Sequence, residues 1–364
     1  MIMDYMERAL LLAESALGKV SPNPAVGAVI VNNGKIIGQG ATQEPGSDHA
    51  EIVALKQAGV AARGGVMYVT LEPCCHYGRT PPCTRAIIAA GIAELHMATL
   101  DVNSKVAGKG KQELEAAGLR VHLGAHEAQA KQVIEAYAKF ITRGVPSVTA
   151  KFAMSLDGKI ATRSGDSRWI SGEASRQRVH RLRYTADAVM VGVGTVIADN
   201  PRLTARGQDG ALLKAPLRVV VDSRGRTPPG AAVFGEPGSV LLASGGSLAP
   251  EVRQVLAGSG AEILELPSPE GRVDLKALVT ALGARGITSV LVEGGGALLG
   301  ALFDQRLVDK VIAFVAPLII GGQDAGTAVA GVGVETIREA LRLERLSWER
   351  FEDDIMIIGY PGVR

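Results

Sequence analysis

The sequence predicts a two-domain α/β protein. Its 364 residues exceed what one ordinary hydrophobic core encloses. Apolar runs typical of strands alternate with helical patterns along most of the chain. Gly144-Val145-Pro146 interrupts this alternation directly after a helical pattern, where a linker is expected. We therefore expect one domain over residues 1–145 and a second over residues 146–364.

The first domain begins with an amphipathic helical pattern in which charged residues, Asp4 among them, alternate with leucines, unlike a signal peptide. The apolar run from Ala25 to Val31, followed by Asn33-Gly34, predicts a β-hairpin. Apolar residues at helical spacing over 50–58 predict a helix that begins just after His49. Further patterns predict a strand over 66–71, a helix over 86–91, a strand over 94–100 and helices over 112–118 and 127–142.

A metal-site pattern lies on these elements. His49-Ala50-Glu51 is followed by Pro73-Cys74 and then by Cys83. One imidazole and two thiolates leave tetrahedral Zn²⁺ one ligand short, and a water in that position has its pKa lowered to about 7. Glu51, which is not a ligand, is placed to move the proton of that water. This order of residues is the signature of zinc-dependent nucleobase deaminases, although eight residues separate Cys74 from Cys83 where two are usual.

Two alternatives stay open for this pattern. The residues are either unrelated members of a core or a structural zinc site, which needs a fourth protein ligand such as Cys75 or His76. Cys75 follows Cys74 directly and is expected to point away from it, so we expect it to be packed. His76 lies in the inserted loop and is a candidate to face the substrate. The four other histidines lack a paired acid and cysteine spacing, so we expect surface or structural roles for His96, His122, His126 and His180.

Composition limits the partners. A net charge of +2 from 39 basic and 37 acidic side chains argues against a nucleic-acid surface, which needs clustered positive charge. The expected partner is a small molecule. Three cysteines, at least two of them on the metal, provide no disulfide framework and suit a reducing cytoplasm. The longest apolar stretch, residues 311–320, has half the length of a membrane helix, so no membrane partner is expected.

The second domain reads as a mainly parallel sheet. A strand over 147–153 opens it, and strand-loop-helix units follow from residues 188, 217 and 289. Runs over 341–351 and 355–360 predict a closing hairpin. Ligands in such a sheet bind at the carboxyl ends of the strands.

Gly294-Gly295-Gly296 precedes an apolar helix over residues 297–303. Bare backbone N–H groups at a helix N-terminus suit a phosphate. A tight turn without a ligand is the alternative. Neither this loop nor Gly192-Val193-Gly194 forms the Gly-x-Gly-x-x-Gly fingerprint, so an ordinary Rossmann domain is not supported.

These motifs together resemble one family, the bifunctional riboflavin biosynthesis enzymes of the RibD type. The first half carries the resemblance in the runs Pro22–Gly27, His49–Glu51 and Glu72–Cys83, and the second half carries it in Lys151–Lys159 and Val292–Gly296. The resemblance covers nearly the whole chain. It includes the eight-residue gap between the cysteines.

The resemblance implies a cytidine-deaminase-like α/β/α domain followed by a dihydrofolate-reductase-like α/β domain. It implies that zinc-bound hydroxide, held by His49, Cys74 and Cys83, attacks the pyrimidinone carbon that carries the 2-amino group, while Glu51 moves protons to the leaving amine. It also implies that NADPH then reduces the ribosyl group of the pyrimidine ribonucleotide to ribityl. We further expect a homo-oligomer.

Carried over position by position, the resemblance assigns two groups of residues. The NADPH contacts are Ala153, Trp169, Thr195, Asp199, Ser223, Gly295, Gly296, Ala297, Leu298, Leu299, Gly300 and Ala301. The substrate contacts are Asn23, Ser167, Arg183, Leu203, Arg206 and Glu293. Lys151 is a further candidate for substrate binding, as a polar group close to the transferred hydride together with Asp199 and Glu293. Guanidinium groups suit phosphate, so Arg183 and Arg206 are candidates for the substrate 5′-phosphate, with a solvated surface role as the alternative.

Two other classes of function remain in view. A nucleic-acid base deaminase with an accessory domain is disfavoured by the near-neutral charge. A zinc-stabilised binding protein without turnover is disfavoured by Glu51 beside His49.

Overall fold

The computed structural model describes residues 4–362, and the chain divides between Gly144 and Val145 into two compact units. Each unit has its own sheet and its own hydrophobic core. No helix within residues 4–362 combines the length and the apolar character needed to cross a membrane.

The first unit is a five-stranded sheet covered by helices on both faces. Its strands are β1 (Gly27–Asn32), β2 (Lys35–Ala41), β3 (Val66–Val69), β4 (Glu94–Met97) and β5 (Arg120–Leu123). Its helices are α1 (Tyr5–Ala16), α2 (Ala50–Ala58), α3 (Cys83–Ala90), α4 (Lys109–Ala116), α5 (Glu127–Val133) and α6 (Glu135–Arg143), with a 3-10 turn over Gly59–Ala62. The strand order is β2-β1-β3-β4-β5, with β1 antiparallel to both neighbours and β3, β4 and β5 parallel.

Strand β1 explains the layering. Successive residues of a strand face opposite sides of the sheet, and β1 is buried along nearly its whole length. Val29 packs with Met6 of α1, whereas Ile30 packs with Ala54 of α2. The predicted hairpin between β1 and β2 and the predicted helix over 50–58 are both confirmed.

Two glycines let α2 approach β2 closely. A Cβ atom on Gly38 would lie 2.2 Å from the carbonyl oxygen of Ala54, and one on Gly40 would lie 2.5 Å from that of Ala50. Any larger side chain at either position would therefore displace α2 or the strand.

The prediction of a single helix over residues 127–142 is wrong. The chain forms α5 and α6 with an interruption at Ile134, where φ is −97° and ψ is 10°. Ala130 packs in the cluster around α1, whereas Ile134 and Tyr137 pack in the larger core cluster that contains Ile30. The interruption thus turns the chain from one cluster to the other.

The second unit contains a nine-stranded sheet and a small two-stranded one. Its strands are β6 (Ser147–Ser155), β7 (Ala188–Gly192), β8 (Ala205–Arg206), β9 (Leu212–Lys214), β10 (Leu217–Val221), β11 (Val240–Ser244), β12 (Ala261–Glu265), β13 (Ser289–Val292), β14 (Lys310–Ala316), β15 (Leu343–Phe351) and β16 (Asp354–Pro361). Its helices are α7 (Glu173–Thr185), α8 (Val193–Asp199), α9 (Pro250–Gly258), α10 (Leu275–Ala284) and α11 (Gly296–Asp304), with a 3-10 turn over Ile337–Glu339.

The large sheet has the order β12-β11-β10-β7-β13-β6-β14-β16-β15, and its first seven strands are parallel. β16 and β15 add an antiparallel hairpin at one edge. The predicted parallel sheet and closing hairpin are confirmed, and the arrangement agrees with the dihydrofolate-reductase-like class that the resemblance implied. The carboxyl ends of the parallel strands share one edge, where ligands are expected.

Candidate active sites

Three secondary-structure elements deliver the predicted metal ligands. His49 directly precedes α2, Cys74 lies in the loop after β3, and Cys83 is the first residue of α3. The backbone N–H of Cys83 points at Cys74 Sγ, 3.4 Å away. The N-termini of two helices therefore face the same small volume.

The ligand atoms converge at zinc-binding distances. His49 Nδ1 lies 3.3 Å from Cys83 Sγ and 3.6 Å from Cys74 Sγ, and the three ligand atoms all lie within 4.8 Å of one another. A tetrahedral zinc with ordinary Zn–N and Zn–S bonds separates such atoms by about 3.5 Å. The separations of the His49, Cys74 and Cys83 ligand atoms therefore fit a zinc ion.

Neither alternative fourth ligand joins this group among the described residues. Cys75 Sγ lies 3.9 Å from the carbonyl oxygen of Lys105, as expected for a packed side chain. His76 Nδ1 is buried and has no hydrogen-bond partner within residues 4–362. The geometry favours a three-ligand site with an open position over a closed structural one.

Contacts within the ligand group shift the pKa values of its members. A hydrogen bond from the Cys83 thiol, aided by His49, lowers the pKa of Cys74 to about 4. The same hydrogen bond raises the pKa of Cys83. The hydrogen bond with Cys74 raises the pKa of His49.

Glu51 lies in the first turn of α2 and is 4 % exposed. Burial raises the pKa of its carboxyl to about 7, with Cys74 contributing. A carboxyl with this pKa exchanges protons readily near neutral pH.

Two supporting side chains escaped the sequence interpretation. Thr80 Oγ1 lies 3.4 Å from His49 Nε2, so it hydrogen-bonds to the ring nitrogen that does not face the two sulfur atoms. Buried Glu72 accepts hydrogen bonds from the backbone N–H groups of Asp101, Gly108 and Lys111 at 2.9–3.1 Å. Glu72 thereby fastens the 101–111 segment to the loop that carries Cys74. The position of Glu72 next to Pro73-Cys74 could have drawn attention to it, but nothing in the sequence identified the backbone N–H groups that it binds.

Asn23 lies in the loop between α1 and β1 and is half-buried. Its backbone N–H donates to the carbonyl oxygen of Val20, 2.8 Å away. It does not belong to the ligand cluster.

A buried charged group lies in the second unit. Glu293 follows β13 and receives a two-pronged hydrogen bond from Arg183 of α7, at 2.6 and 2.9 Å. Lys151 Nζ of β6 lies 4.0 Å from Glu293 Oε2. The side chains of Lys151, Arg183 and Glu293 are 14 %, 17 % and 9 % exposed, so the charges are largely desolvated.

The pKa shifts in this group follow from burial and charge. Burial alone would raise the pKa of Glu293, but Arg183 and Lys151 outweigh it and lower that pKa. Burial lowers the pKa of Lys151 despite the attraction of Glu293. One carboxylate thus holds two cations.

Arg206 of β8 also has a carboxylate partner. Its Nη2 lies 2.7 Å from both carboxylate oxygens of Glu236, and its Nη1 donates to the carbonyl oxygen of Gly210 at 2.9 Å. Both arginines that the sequence assigned to phosphate are therefore paired with carboxylates in this structure. Sequence reasoning missed Glu236 because it lies 30 positions after Arg206 in the chain.

Arg218 of β10 organises the segment that carries Glu236. It is fully buried, and its guanidinium donates to the carbonyl oxygens of Val233, Glu236, Pro237 and Gly238 at 2.6–3.0 Å. Arg218 therefore fixes the backbone on which the Glu236–Arg206 pair depends.

Two helix N-termini meet at the carboxyl ends of β7 and β13. The backbone N–H of Gly295 donates to Thr195 Oγ1 of α8, 3.1 Å away. At the C-terminal end of α8, Asp199 Oδ1 accepts a hydrogen bond from Ser167 Oγ at 3.0 Å. The structure thus brings together two pairs of the assigned residues.

Ser223 follows β10 at the same edge of the sheet. Its Oγ accepts a hydrogen bond from the backbone N–H of Val273 at 3.2 Å, which leaves its own proton for another acceptor. The neighbouring Asp222 is buried and accepts from Thr227. Arg224 is exposed.

The glycines of α11 serve packing as well. A Cβ atom on Gly296 would lie 2.4 Å from the carbonyl oxygen of Thr327, and one on Gly300 would lie 2.0 Å from that of Ala330. Leu298 and Leu299 are buried in the core, so a ligand would reach them only through their backbone. Ala297 is exposed and Ala301 is half-buried.

The other assigned residues are dispersed. Leu203 is buried and has a left-handed φ of 59°, which is uncommon for this residue type. Trp169 is 68 % exposed, and the guanidinium of Arg176 lies over its ring at 4.5 Å. Ala153 lies on β6, two residues after Lys151.

Comparison with known proteins divides the chain in a similar way. Residues 2–99 match the family model described as the cytidine and deoxycytidylate deaminase zinc-binding region. Residues 146–357 match the family model of the RibD C-terminal domain.

Full-length relatives are similar over nearly their whole length. The riboflavin biosynthesis protein RibD of Aquifex aeolicus is 39 % identical over 357 residues, which is 97 % of each chain. That of Escherichia coli is 38 % identical over 346 residues, 92 % of this chain and 93 % of the relative. A crystal form of Acinetobacter baumannii RibD is 37 % identical with a TM-score of 0.86, covering 99 % of this chain and 98 % of the other. The Thermotoga maritima diaminohydroxyphosphoribosylaminopyrimidine deaminase/5-amino-6-(5-phosphoribosylamino)uracil reductase is 33 % identical with a TM-score of 0.84, covering 98 % of each chain.

Proposed function

This chain belongs to the RibD family, and from that membership we propose which side chains carry its two activities. It is a bifunctional enzyme of riboflavin biosynthesis, with a zinc-dependent deaminase followed by an NADPH-dependent reductase. The deaminase acts on 2,5-diamino-6-(5-phosphoribosylamino)pyrimidin-4(3H)-one. The reductase converts the ribosyl group of the deaminated product to ribityl.

His49 Nδ1, Cys74 Sγ and Cys83 Sγ are the proposed zinc ligands. The convergence of these three atoms beside buried Glu51 is the single observation that carries the deaminase proposal. When bound, zinc supplies a Lewis acid that lowers the pKa of a water to about 7. Thr80 keeps the His49 ring turned so that Nδ1 faces the metal position.

Glu51 is the proposed proton carrier. Its carboxylate takes a proton from the attacking water and gives it to the departing amine nitrogen, and a pKa of about 7 suits both transfers. Burial keeps bulk water away from this carboxyl, so the proton it accepts stays available to the substrate.

Substrate contacts in the first unit are proposed for Asn23 and His76. The buried Nδ1 of His76 has no hydrogen-bond partner among the residues that the structure describes, and a buried polar atom of this kind destabilises the protein unless a ligand satisfies it. A substrate carbonyl or phosphate oxygen would satisfy it.

In the second unit, we assign Lys151 and Glu293 to the region around the ribosyl carbon that is reduced. Arg183 holds Glu293 in its ionised form, because its two hydrogen bonds and its charge lower the pKa of that carboxyl. We therefore propose that Arg183 serves the substrate through Glu293, which it holds in place and keeps ionised. Arg206 keeps its proposed contact with the substrate 5′-phosphate.

The proposed NADPH site follows the carboxyl ends of β10, β7 and β13. Thr195 lies on α8, which follows β7; residues 295–301 begin α11, which follows β13; and Ser223 follows β10, the strand on the other side of β7. Asp199, Ala153 and the exposed ring of Trp169 complete the proposed NADPH contacts. Ser167, which donates a hydrogen bond to Asp199, and Leu203 are assigned to the substrate.

We also propose a homo-oligomer in a reducing cytoplasm, with a small-molecule substrate and no nucleic acid. Trp348 and Leu346 on the edge strand β15 are 75 % and 64 % exposed, and large exposed apolar groups on an edge strand favour association. All three cysteines are free, as a reducing compartment requires.

The decisive experiment supplies the diaminopyrimidine ribonucleotide with and without NADPH. Ammonia release is expected in both cases, and NADPH oxidation only after deamination. Removal of zinc should abolish ammonia release while pre-deaminated substrate is still reduced. Absence of ammonia release from the zinc-loaded enzyme would overturn the deaminase assignment.

A further inference from the structure

A second group of metal-ligating side chains lies on the first unit, and it shares no residue with the zinc site. Glu94 and His96 are two residues apart on β4, so both face the same side of the sheet. His122 lies on the neighbouring parallel strand β5, directly opposite His96 in the register. The sequence interpretation gave both histidines surface or structural roles, because neither has a paired acid and cysteine spacing. Only the pairing of β4 with β5 brings them together.

The three side chains converge on one oxygen atom. Glu94 Oε1 lies 2.8 Å from His96 Nε2 and 3.3 Å from His122 Nε2. All three ligand atoms lie within 4.8 Å of one another. The side chains of Glu94, His96 and His122 are 20 %, 24 % and 52 % exposed, so the group opens to solvent on the His122 side.

Neighbouring groups hold Glu94 and His96 in place. The His96 ring is stacked between Tyr68 and His122, with centroid separations of 4.7 and 4.5 Å and interplanar angles of 12° and 17°. Stacked imidazoles cannot both aim their in-plane Nε2 lone pairs at one ion, so the exposed His122 ring has to turn about its Cβ–Cγ bond to bind. Arg120 donates to the other oxygen of Glu94 at 2.7 and 3.2 Å, which leaves Oε1 facing the imidazoles. Outer contacts of this kind orient ligands in metal sites.

We propose that Glu94, His96 and His122 form a surface site for a borderline divalent transition metal such as Ni²⁺, Co²⁺ or Zn²⁺. Two imidazoles and one carboxylate are ligands that these ions accept and that Ca²⁺ and Mg²⁺ do not prefer. Water on the His122 side completes the coordination. Because the ligands come from two strands, the ion ties edge strand β5 to β4 and binds only the folded sheet.

The test uses the full chain with zinc already bound at His49, Cys74 and Cys83. Ni²⁺ is titrated into this enzyme by calorimetry, and one further ion per chain is expected. His122→Asn should bind Ni²⁺ at least about tenfold more weakly, since even the loss of an outer contact costs a metal site that much. His126→Asn is the matched control: His126 is another partly exposed histidine that pairs with a carboxylate, Asp4, and its loss should leave Ni²⁺ affinity unchanged.

Co²⁺ provides an independent readout. Its ultraviolet and visible absorption spectrum should show the ligand-field bands of nitrogen and oxygen ligands, without the near-ultraviolet sulfur charge-transfer band that a thiolate site produces. Ammonia release by His122→Asn should equal that of the wild type, which separates this site from the catalytic one. The proposal fails if the zinc-loaded enzyme takes up no further Ni²⁺ at millimolar concentration, if His122→Asn binds like the wild type, or if the added Co²⁺ shows the thiolate band.

Discussion

Replacing Arg218 by methionine should destabilise the second unit and weaken its reductase. Arg218 is fully buried, and its four hydrogen bonds hold the backbone of residues 233–238. Methionine fills much of the same volume but donates nothing. The substitution therefore tests the hydrogen bonds more than the packing.

The expected loss follows from the number and exposure of these bonds. A hydrogen bond to a charged group contributes about 1.5–3 kcal/mol, but the four do not add. Residues 237–239 are exposed, so part of the freed backbone regains water. We expect the free energy of unfolding to fall by about 2–4 kcal/mol, which lowers a urea midpoint by roughly 1 M.

The two tryptophans of the chain, Trp169 and Trp348, both lie in the second unit, so tryptophan fluorescence of the full chain reports on that unit alone. Urea unfolding of Arg218→Met is measured against Arg272→Met, an exposed arginine in the same unit whose replacement should cost less than about 0.5 kcal/mol. Because the 233–238 segment carries Glu236, the partner of Arg206, reductase kcat/KM should also fall while ammonia release is unchanged. Equal midpoints for the two variants would refute the reasoning.

Three further predictions concern the sites and the domains. The Glu51→Gln variant should keep its zinc but release ammonia about 10²- to 10⁴-fold more slowly, which is the usual contribution of a general acid–base group. Metal analysis and the rate of ammonia release test this prediction. Near-normal release would show that another group carries the proton. Ser223 and Arg224 follow β10 at its carboxyl end, where the ribose of a bound nucleotide is expected, so a hydroxyl and a guanidinium there suit the 2′-phosphate of NADPH. Ser223→Ala and Arg224→Ala should therefore each reduce the preference for NADPH over NADH by about tenfold to a hundredfold in kcat/KM, as expected from losing a charged hydrogen bond. Retention of the full preference in both variants would place the discriminating contacts elsewhere. A fragment beginning at Ser147 should fold and bind NADPH, and a fragment that remains unfolded would argue against an independent second core.

Local patterns predicted much of the first site. His49 and Glu51 begin a helix whose apolar spacing is visible in the sequence, and the β-hairpin before them has a turn dipeptide at residues 33–34. These features could be predicted because each depends on residues that are close together in the chain.

Contacts between distant segments could not be predicted in this way. Glu72 binds backbone N–H groups 29–39 residues later, and Glu236 meets Arg206 only after the intervening chain has folded. From the sequence, Arg183 was a candidate to bind the substrate phosphate, because nothing in the sequence shows that Glu293, 110 residues later, contacts it. The helix interruption at Ile134 likewise depends on which core cluster each side chain enters.

The close approach of α2 to β2 has a consequence for inactivating mutations. Gly38 and Gly40 carry no chemistry, yet a methyl group on either would meet the backbone of the helix that positions His49 and Glu51. A screen for missense alleles that abolish the deaminase while sparing the reductase should therefore recover substitutions at these two glycines alongside those at the metal ligands.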